Sequence, residues 1–184
     1  MFRLTALNIA IVSLLAASTI TAQIANEINY ITGKARAISV TVSTITSTSC
    51  ASLIFNTGPC ETLINQINDI DEALSNAAFN LNSAPKLTTI ADGAPILEAY
   101  RQLSEVTFEG QGKLVSQGCK VSLCTVLSSA AKVKTALENW KDSFDAHNDA
   151  LQHYLELVVQ DENSVTAIRD VTDLLFDLAI QGFS

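Results

Sequence analysis

Residues 24–45 read IANEINYITGKARAISVTVSTI, and the spacing of their apolar side chains decides the fold. Ile24, Ile28, Ile31, Ala35, Ile38, Val42 and Ile45 step by four and three without a miss, which is one face of an amphipathic helix. Asn26, Glu27, Lys34 and Arg36 fall off that stripe. The second half also has a strand-like character, because Ser39–Thr48 is rich in β-branched residues and Ile38, Val40 and Val42 alternate. The helical register continues through this stretch, so helix is the expected state.

Four further segments carry the same period. From Cys60 to Leu81 the stripe is Leu63, Ile67, Ile70, Leu74, Ala77 and Leu81, with Asp69, Asp71 and Glu72 facing away. Gly58-Pro59 opens it and Asn82-Ser83-Ala84-Pro85 closes it. The third segment follows Asp92-Gly93-Ala94-Pro95, with Asp92 as its cap, and turns Ile96, Tyr100, Leu103, Val106 and Leu114 inward. Gly110 and Gly112 each cost a helix about 1 kcal/mol relative to alanine, so a kink or frayed end is expected beyond Phe108. The fourth keeps Leu123, Leu127, Ala130, Leu137, Trp140, Phe144, Leu151, Tyr154 or Leu155, and Val158 in register, with a bend expected at Asp145–Asp149. The last, Ser164–Ile180, is expected to bury Val165, Ile168, Val171, Leu175 and Leu178. Hairpin signals are missing. The expected fold is all-α, an up-and-down bundle of four to five helices in one domain with two disulfides.

The N-terminus, MFRLTALNIAIVSLLAASTITA, has one early cation at Arg3, an apolar run from Ile9 to Ala17 and then small residues. That order is a secretory signal peptide, and the run is too short to span a bilayer, so no transmembrane anchor is expected. Cleavage is placed after Ala22, with Ser18 as the other candidate, which leaves one domain over 23–184. Ten cations then face nineteen acids, a net charge of −9. Such a balance excludes phosphate-backbone binding and electrostatic docking on anionic membranes, so no nucleic acid partner is expected. An Asn-x-Ser/Thr sequon and a glycolipid-anchor signal are both missing.

Cys50, Cys60, Cys119 and Cys124 make an even count for an oxidising compartment, so disulfides are expected. Zinc fits less well, because the Cys-x9-Cys pair is too wide for a knuckle. In an alternating bundle the loops holding the two pairs lie at one end. Local pairing, 50 with 60 and 119 with 124, is geometrically easy, pairing between the loops stays open, and the sequence does not choose among three connectivities.

Nothing in the chain assembles a catalytic centre, so no catalytic residue, metal site or cofactor is expected. His147 and His153 are six apart and do not share a helix face. Asp142, Asp145 and Asp149 recur at helical spacing and read as a solvated acidic face. Binding is the better class. The domain is apolar for its few charges, and a segment loosened at Gly110 and Gly112 could swing out to admit a hydrocarbon chain. The candidate apolar lining is Ile67, Leu74, Tyr100, Leu103, Phe108, Leu114, Leu137, Trp140 and Phe144.

The isoleucine-spaced first helix after a signal peptide, Gly58-Pro59 leading into LINQINDIDEAL, the central ILEAYRQLSEVTFEGQGKLVSQ, then VLSSAAKVKTALENWKDSFDA and the closing DVTDLLFDLAIQGFS resemble the fungal hydrophobic surface binding protein A family, which includes cell wall galactomannoproteins. The pattern covers most of 23–184 and contains no sharp motif. The four cysteines depart from many members. The resemblance implies a secreted, wall-associated helical protein that binds a fatty acid or an apolar surface and recruits a secreted hydrolase. The rival reading is a helical inhibitor or host-interaction protein working through protein–protein contacts, since plant inhibitors of invertase and pectin methylesterase are also four-cysteine bundles. Their second cysteine pair is widely spaced, unlike Cys119 and Cys124.

Overall fold

The computed structural model describes residues 2–47, 58–87, 90–116, 130–155 and 162–183, with side chains over 19–45, 58–87, 91–116, 131–155 and 166–183. Five helices carry the chain: α1 (Phe2–Ser47), α2 (Gly58–Ser83), α3 (Ile90–Ser116), α4 (Ala130–Leu155) and α5 (Glu162–Gln181). The described residues contain no strand, as the three-and-four spacing requires.

The ambiguous part of α1 resolves as helix through Ser47, and its hydroxyls show how. Thr32 Oγ1 donates to the Ile28 carbonyl at 2.9 Å, Ser43 Oγ to that of Ser39 at 2.8 Å and Thr44 Oγ1 to that of Val40 at 3.1 Å. Each polar tip folds back on the preceding turn, so a hydroxyl-rich, β-branched run keeps a helical backbone. All seven stripe residues from Ile24 to Ile45 are buried. The stripe starts two residues past Ala22.

In α2, Pro59 occupies the first turn, where its missing N–H costs nothing, and the helix stops before Pro85. Its whole predicted stripe is buried. Asp69 and Glu72 are exposed, whereas Asp71 is only half-exposed. In α3 the helix begins at Ile90, so Asp92 lies in its first turn instead of capping it, and Pro95 is carried inside.

The frayed end expected beyond Phe108 is not observed. α3 runs unbroken past both glycines to Ser116, because Gly110 is buried and lies against Ile38 of α1. α4 runs unbroken through Asp145–Asp149, with Phe144, His147, Asn148 and Leu151 all buried. The Leu123, Leu127 and Val158 positions lie outside the described residues, as do Cys50, Cys119 and Cys124; Cys60 is buried in the first turn of α2.

The largest correction concerns α5. Val171 and Leu178 are 50% and 41% exposed, while Thr172 and Phe176 are completely buried and Ala179 nearly so. Ile168 and Leu175 sit at the edge, half-buried. The true inward face is therefore rotated by about one residue from the predicted one. Trp140 and Phe144 of α4 receive Phe176, at ring-centroid distances of 5.1 and 6.1 Å. Aromatic burial outweighs the alignment of Val171 and Leu178 because a fully buried aromatic removes 150–250 Å² from water.

The helix pairs that pack are α1 with α2 and α3, α2 with α4, α4 with α5, and α5 with α3. They close a ring in the order α1–α2–α4–α5–α3. Contacts between side chains give the directions. Asn80 Nδ2 donates to Glu27 at 2.8 Å and Lys34 reaches Asp69 at 3.3 Å, so α1 and α2 are antiparallel. Arg169 meets Asp149 at 2.7 Å and Lys141 meets Asp177 at 2.7 Å, so α4 and α5 are antiparallel. Tyr154, near the end of α4, interacts with Thr21 and Asp92, and Gly110 faces Ile38, so α1 and α3 run parallel. Direction alternates along the chain, as in an up-and-down bundle, but neighbours in space are not always neighbours in sequence.

Candidate ligand-binding interior

A ring of five helices encloses a wider middle than four do. At packing distances of 8–10 Å, a pentagonal arrangement sets each helix axis ~7–8.5 Å from the bundle axis. The largest buried side chains come from α3, α4 and α5. Trp140, Tyr100, Phe144 and Phe176 are the largest fully buried residues.

The nine candidate lining residues come from three helices of the ring. Ile67 and Leu74 project from α2, Tyr100, Leu103 and Leu114 from α3, and Leu137, Trp140 and Phe144 from α4, all buried in one continuous core. Phe108 departs from the set, being only half-buried on α3. The open grooves lie elsewhere. One, of about 470 Å³, runs along α1 and α2 beside Tyr30, Gly33, Lys34, Gln66 and Asp69, and another, of about 610 Å³, runs along α1 and α3 beside Arg36, Val40, Glu109 and Lys113. Neither is lined by any of the nine candidates, so a ligand on those residues would occupy the core and not a surface cleft.

That core is not uniformly apolar. Gln111 and His147 are completely buried and Asn148 is 1% exposed. Among the described residues, both amide atoms of Gln111, both ring nitrogens of His147 and both amide atoms of Asn148 have no hydrogen-bond partner, nor do Tyr100 Oη, Thr107 Oγ1 and Trp140 Nε1. Buried polar groups are ordinarily paired, because an unpaired one costs about 1–3 kcal/mol. Desolvation alone depresses the His147 imidazole to a pKa of about 4, which keeps it neutral. Burial likewise pushes the Tyr100 phenol up to about 12. The buried residues include no Lys, Arg, Asp or Glu among those described. The interior thus offers donors and acceptors without formal charge.

These polar residues were missed as site candidates because the reading of each stripe followed apolar residues only. The signal was present in the spacing. His147 lies seven after Trp140 and four before Leu151, and Gln111 lies four after Thr107 and three before Leu114, so both continue inward registers.

One of the α4 carboxylates also differs from expectation. Asp145 is half-buried, 3.4 Å from Arg169, and Asp149 is exposed, 2.7 Å from Arg169. Burial, followed by the charge of Asp173, raises the Asp145 carboxyl above its ordinary value, against the opposing pull of Arg169. Asp142 and Asp149 are exposed, as a solvated face requires, and only Asp145 departs from it; Asp145 and Asp149 share Arg169 as an interhelical ion-pair set between α4 and α5. No group of three or more His, Cys, Asp or Glu side chains that could hold a metal gathers among the described residues. No described helix is long and apolar enough to cross a membrane.

No protein-family model matches the chain, and no curated protein matches it. Among solved structures the fold is similar to that of AfMP4p from Aspergillus fumigatus, crystallised in complex with palmitic acid, with a TM-score of 0.73 over 89% of this chain and 99% of that one at 16% sequence identity.

Proposed function

We propose that this protein binds a single-chain lipid of the fatty-acid type inside its helical ring, without catalysis. The observation that carries the reading is the five-helix ring with a continuous aliphatic and aromatic core, a fold shared with AfMP4p, which holds palmitic acid. A hydrocarbon guest is recognised by burial, at roughly 25 cal/mol per Å² of apolar surface, so the nine candidate residues act by shape and not by chemistry. The same reading places the chain outside the cell: residues 1–22 are removed, disulfides form at Cys50, Cys60, Cys119 and Cys124, and the mature protein is secreted or wall-associated, in the manner of the hydrophobic surface binding protein A family. A hydrolase partner belongs to that family expectation and has no support of its own.

Adsorption to apolar surfaces is favoured by a separate feature. Val171, Leu174 and Leu178 form an exposed stripe on α5, at 50%, 58% and 41% exposure, on one helix face. Native mass spectrometry of freshly secreted protein is the direct test. A co-purified acyl chain that is displaced by added palmitic acid is the expected result. Failure of the disulfide-intact protein to take up a fluorescent fatty acid would refute ligand binding and leave only surface adsorption.

A further inference from the structure

The open groove of about 470 Å³ between α1 and α2 is lined by Asn29, Tyr30, Gly33, Lys34, Gln66 and Asp69. Its volume falls in the range of ~300–1,000 Å³ usual for small-molecule sites. Tyr30 is 62% exposed, so a large aromatic ring stays in water beside a concave surface. Lys34 bounds that ring, with Nζ 5.1 Å from its centroid, and is itself held by Asp69 at 3.3 Å. These two are the formal charges of the groove, and they cancel. A second groove, of about 260 Å³, shares Tyr30, Lys34 and Asp69 and adds Glu27, Glu72 and Asn76.

Two features of the larger groove have no packing reason. Glycine weakens a helix interior relative to alanine, yet a Cβ built at Gly33 would meet nothing within 4 Å. No neighbouring helix requires a glycine there; its missing side chain keeps open the space beside Tyr30. Gln66 Oε1 is buried and has no hydrogen-bond partner among the described residues. Buried acceptors are ordinarily paired, and a ligand hydroxyl entering the groove supplies the absent donor.

From this we propose that the groove is a second ligand site, which takes the pyranose ring of a neutral sugar. A pyranose has a flat face of C–H groups and a rim of hydroxyls. The C–H face lies on Tyr30, whose body is apolar and whose tip is polar. The hydroxyls meet the amides of Asn29 and Gln66 and the Lys34–Asp69 pair, where hydrogen bonds to ionised groups are the stronger kind. Charged ligands are disfavoured. Glu27 and Glu72 beside the site repel an anion, and Lys34 already fills the place of a cation between the ring and Asp69. A purely apolar guest would leave Gln66 unpaired and strip water from the ion pair. The site is independent of the lipid reading, since none of the nine core candidates lines either groove.

Ligand-observed NMR of the full secreted protein with maltotriose, cellotriose and mannotriose tests the assignment. Saturable transfer to the ring C–H protons of at least one of these is expected, with weaker transfer to trigalacturonic acid. Y30A removes the stacking face and G33L fills the groove, so each is expected to lower the affinity about tenfold, whereas Y30F retains it. Both positions are exposed, so all three variants keep wild-type thermal stability and fatty-acid uptake. No binding of any neutral trisaccharide overturns the sugar site, whatever the result with fatty acids. Binding that survives Y30A and G33L overturns its placement in this groove. Tighter binding of trigalacturonic acid overturns the selection for a neutral sugar. Concentration-dependent dimerisation that Y30A abolishes overturns the sugar in favour of a second copy of this chain.

Discussion

Trp140 and Phe176 meet edge to face, with ring centroids 5.1 Å apart and planes at 87°. The contact joins α4 to α5 in the preferred geometry of two aromatic quadrupoles, and Phe144 completes the set from the other side at 6.1 Å. The rest of the inward face of α5 is narrow: Thr172, Ala179 and, past the helix end, Phe183. Phe176 is therefore the main anchor of this helix. F176A is expected to cost about 3–5 kcal/mol and F176L much less, read by urea unfolding of the disulfide-intact protein. A cost for F176A below about 1 kcal/mol would mean that α5 is not held by this contact.

The same helix shows where the sequence was misleading. Apolar residues fill two faces of α5, one holding Val171, Leu174 and Leu178 and the other Phe176 and Ala179, and periodicity weighs them equally. The side that faces the core is decided by the shape of the space beside Trp140, which belongs to another helix. Substituting Val171 or Leu174 by serine is accordingly expected to move stability by no more than about 0.5 kcal/mol. If the stripe serves surface adsorption, the same two variants reduce retention on apolar beads. A loss of several kcal/mol in the Val171 variant would restore the inward face that the spacing suggested.

By contrast, the first three stripes were legible because each has one apolar face and one polar face. Every predicted inward residue of α1, α2 and the described part of α3 is buried. What no stripe reveals is ring order, since pairing α1 with α3 and α2 with α4 depends on side-chain volumes across the core. The polar interior was illegible for a related reason: Gln111, His147 and Asn148 look like surface residues until their register is followed.

Gly110 and Gly112 lie within a continuous α3, where glycine costs helix stability relative to alanine. A Cβ built at Gly110 would meet only Ile38 Cγ2 at 3.9 Å, an ordinary contact, and one at Gly112 would meet nothing within 4 Å. G110A and G112A should each stabilise by about 0.5–1 kcal/mol, chiefly by restricting the unfolded chain. For a domain of this size that is a rise of about 1–4 °C in Tm. If α3 swings out to admit ligand, the double variant also slows lipid uptake without changing equilibrium affinity. A fall in Tm for G112A would indicate that the helix is not continuous there.

His147 gives the protein a pH-dependent weakness. Its imidazole has a pKa of about 4 when folded against the ordinary 6.5, so the unfolded chain binds a proton that the folded one refuses. A depressed base contributes stability above its unfolded value, and that stability is lost as pH falls. From pH 6.5 toward pH 5 unfolding should become easier at a slope of up to about 1.4 kcal/mol per unit. H147F removes this slope. A wild-type stability that is flat over the interval would mean that the ring is solvated and that burial has not depressed it.

Asp145 has the opposite sign. Its carboxyl is held above the ordinary value by burial and by Asp173, with Arg169 pulling against both. An acid with a raised pKa favours the folded state most when protonated, so its contribution is lost as pH rises through the ordinary value of 3.8 and beyond. D145N is therefore expected to stabilise at pH 7, with the gain shrinking to nothing near pH 3. D149N removes only the exposed partner of Arg169 and should cost no more than about 1 kcal/mol. R169M leaves Asp145 beside Asp173 without its nearest cation, so it should cost more than D149N and steepen the loss of stability with rising pH. Chemical denaturation of the three variants at pH 4 and pH 7 reads all of these differences. Destabilisation by D145N at pH 7 would show that Arg169 outweighs burial, and that the pair holds α5 to α4 instead of straining it.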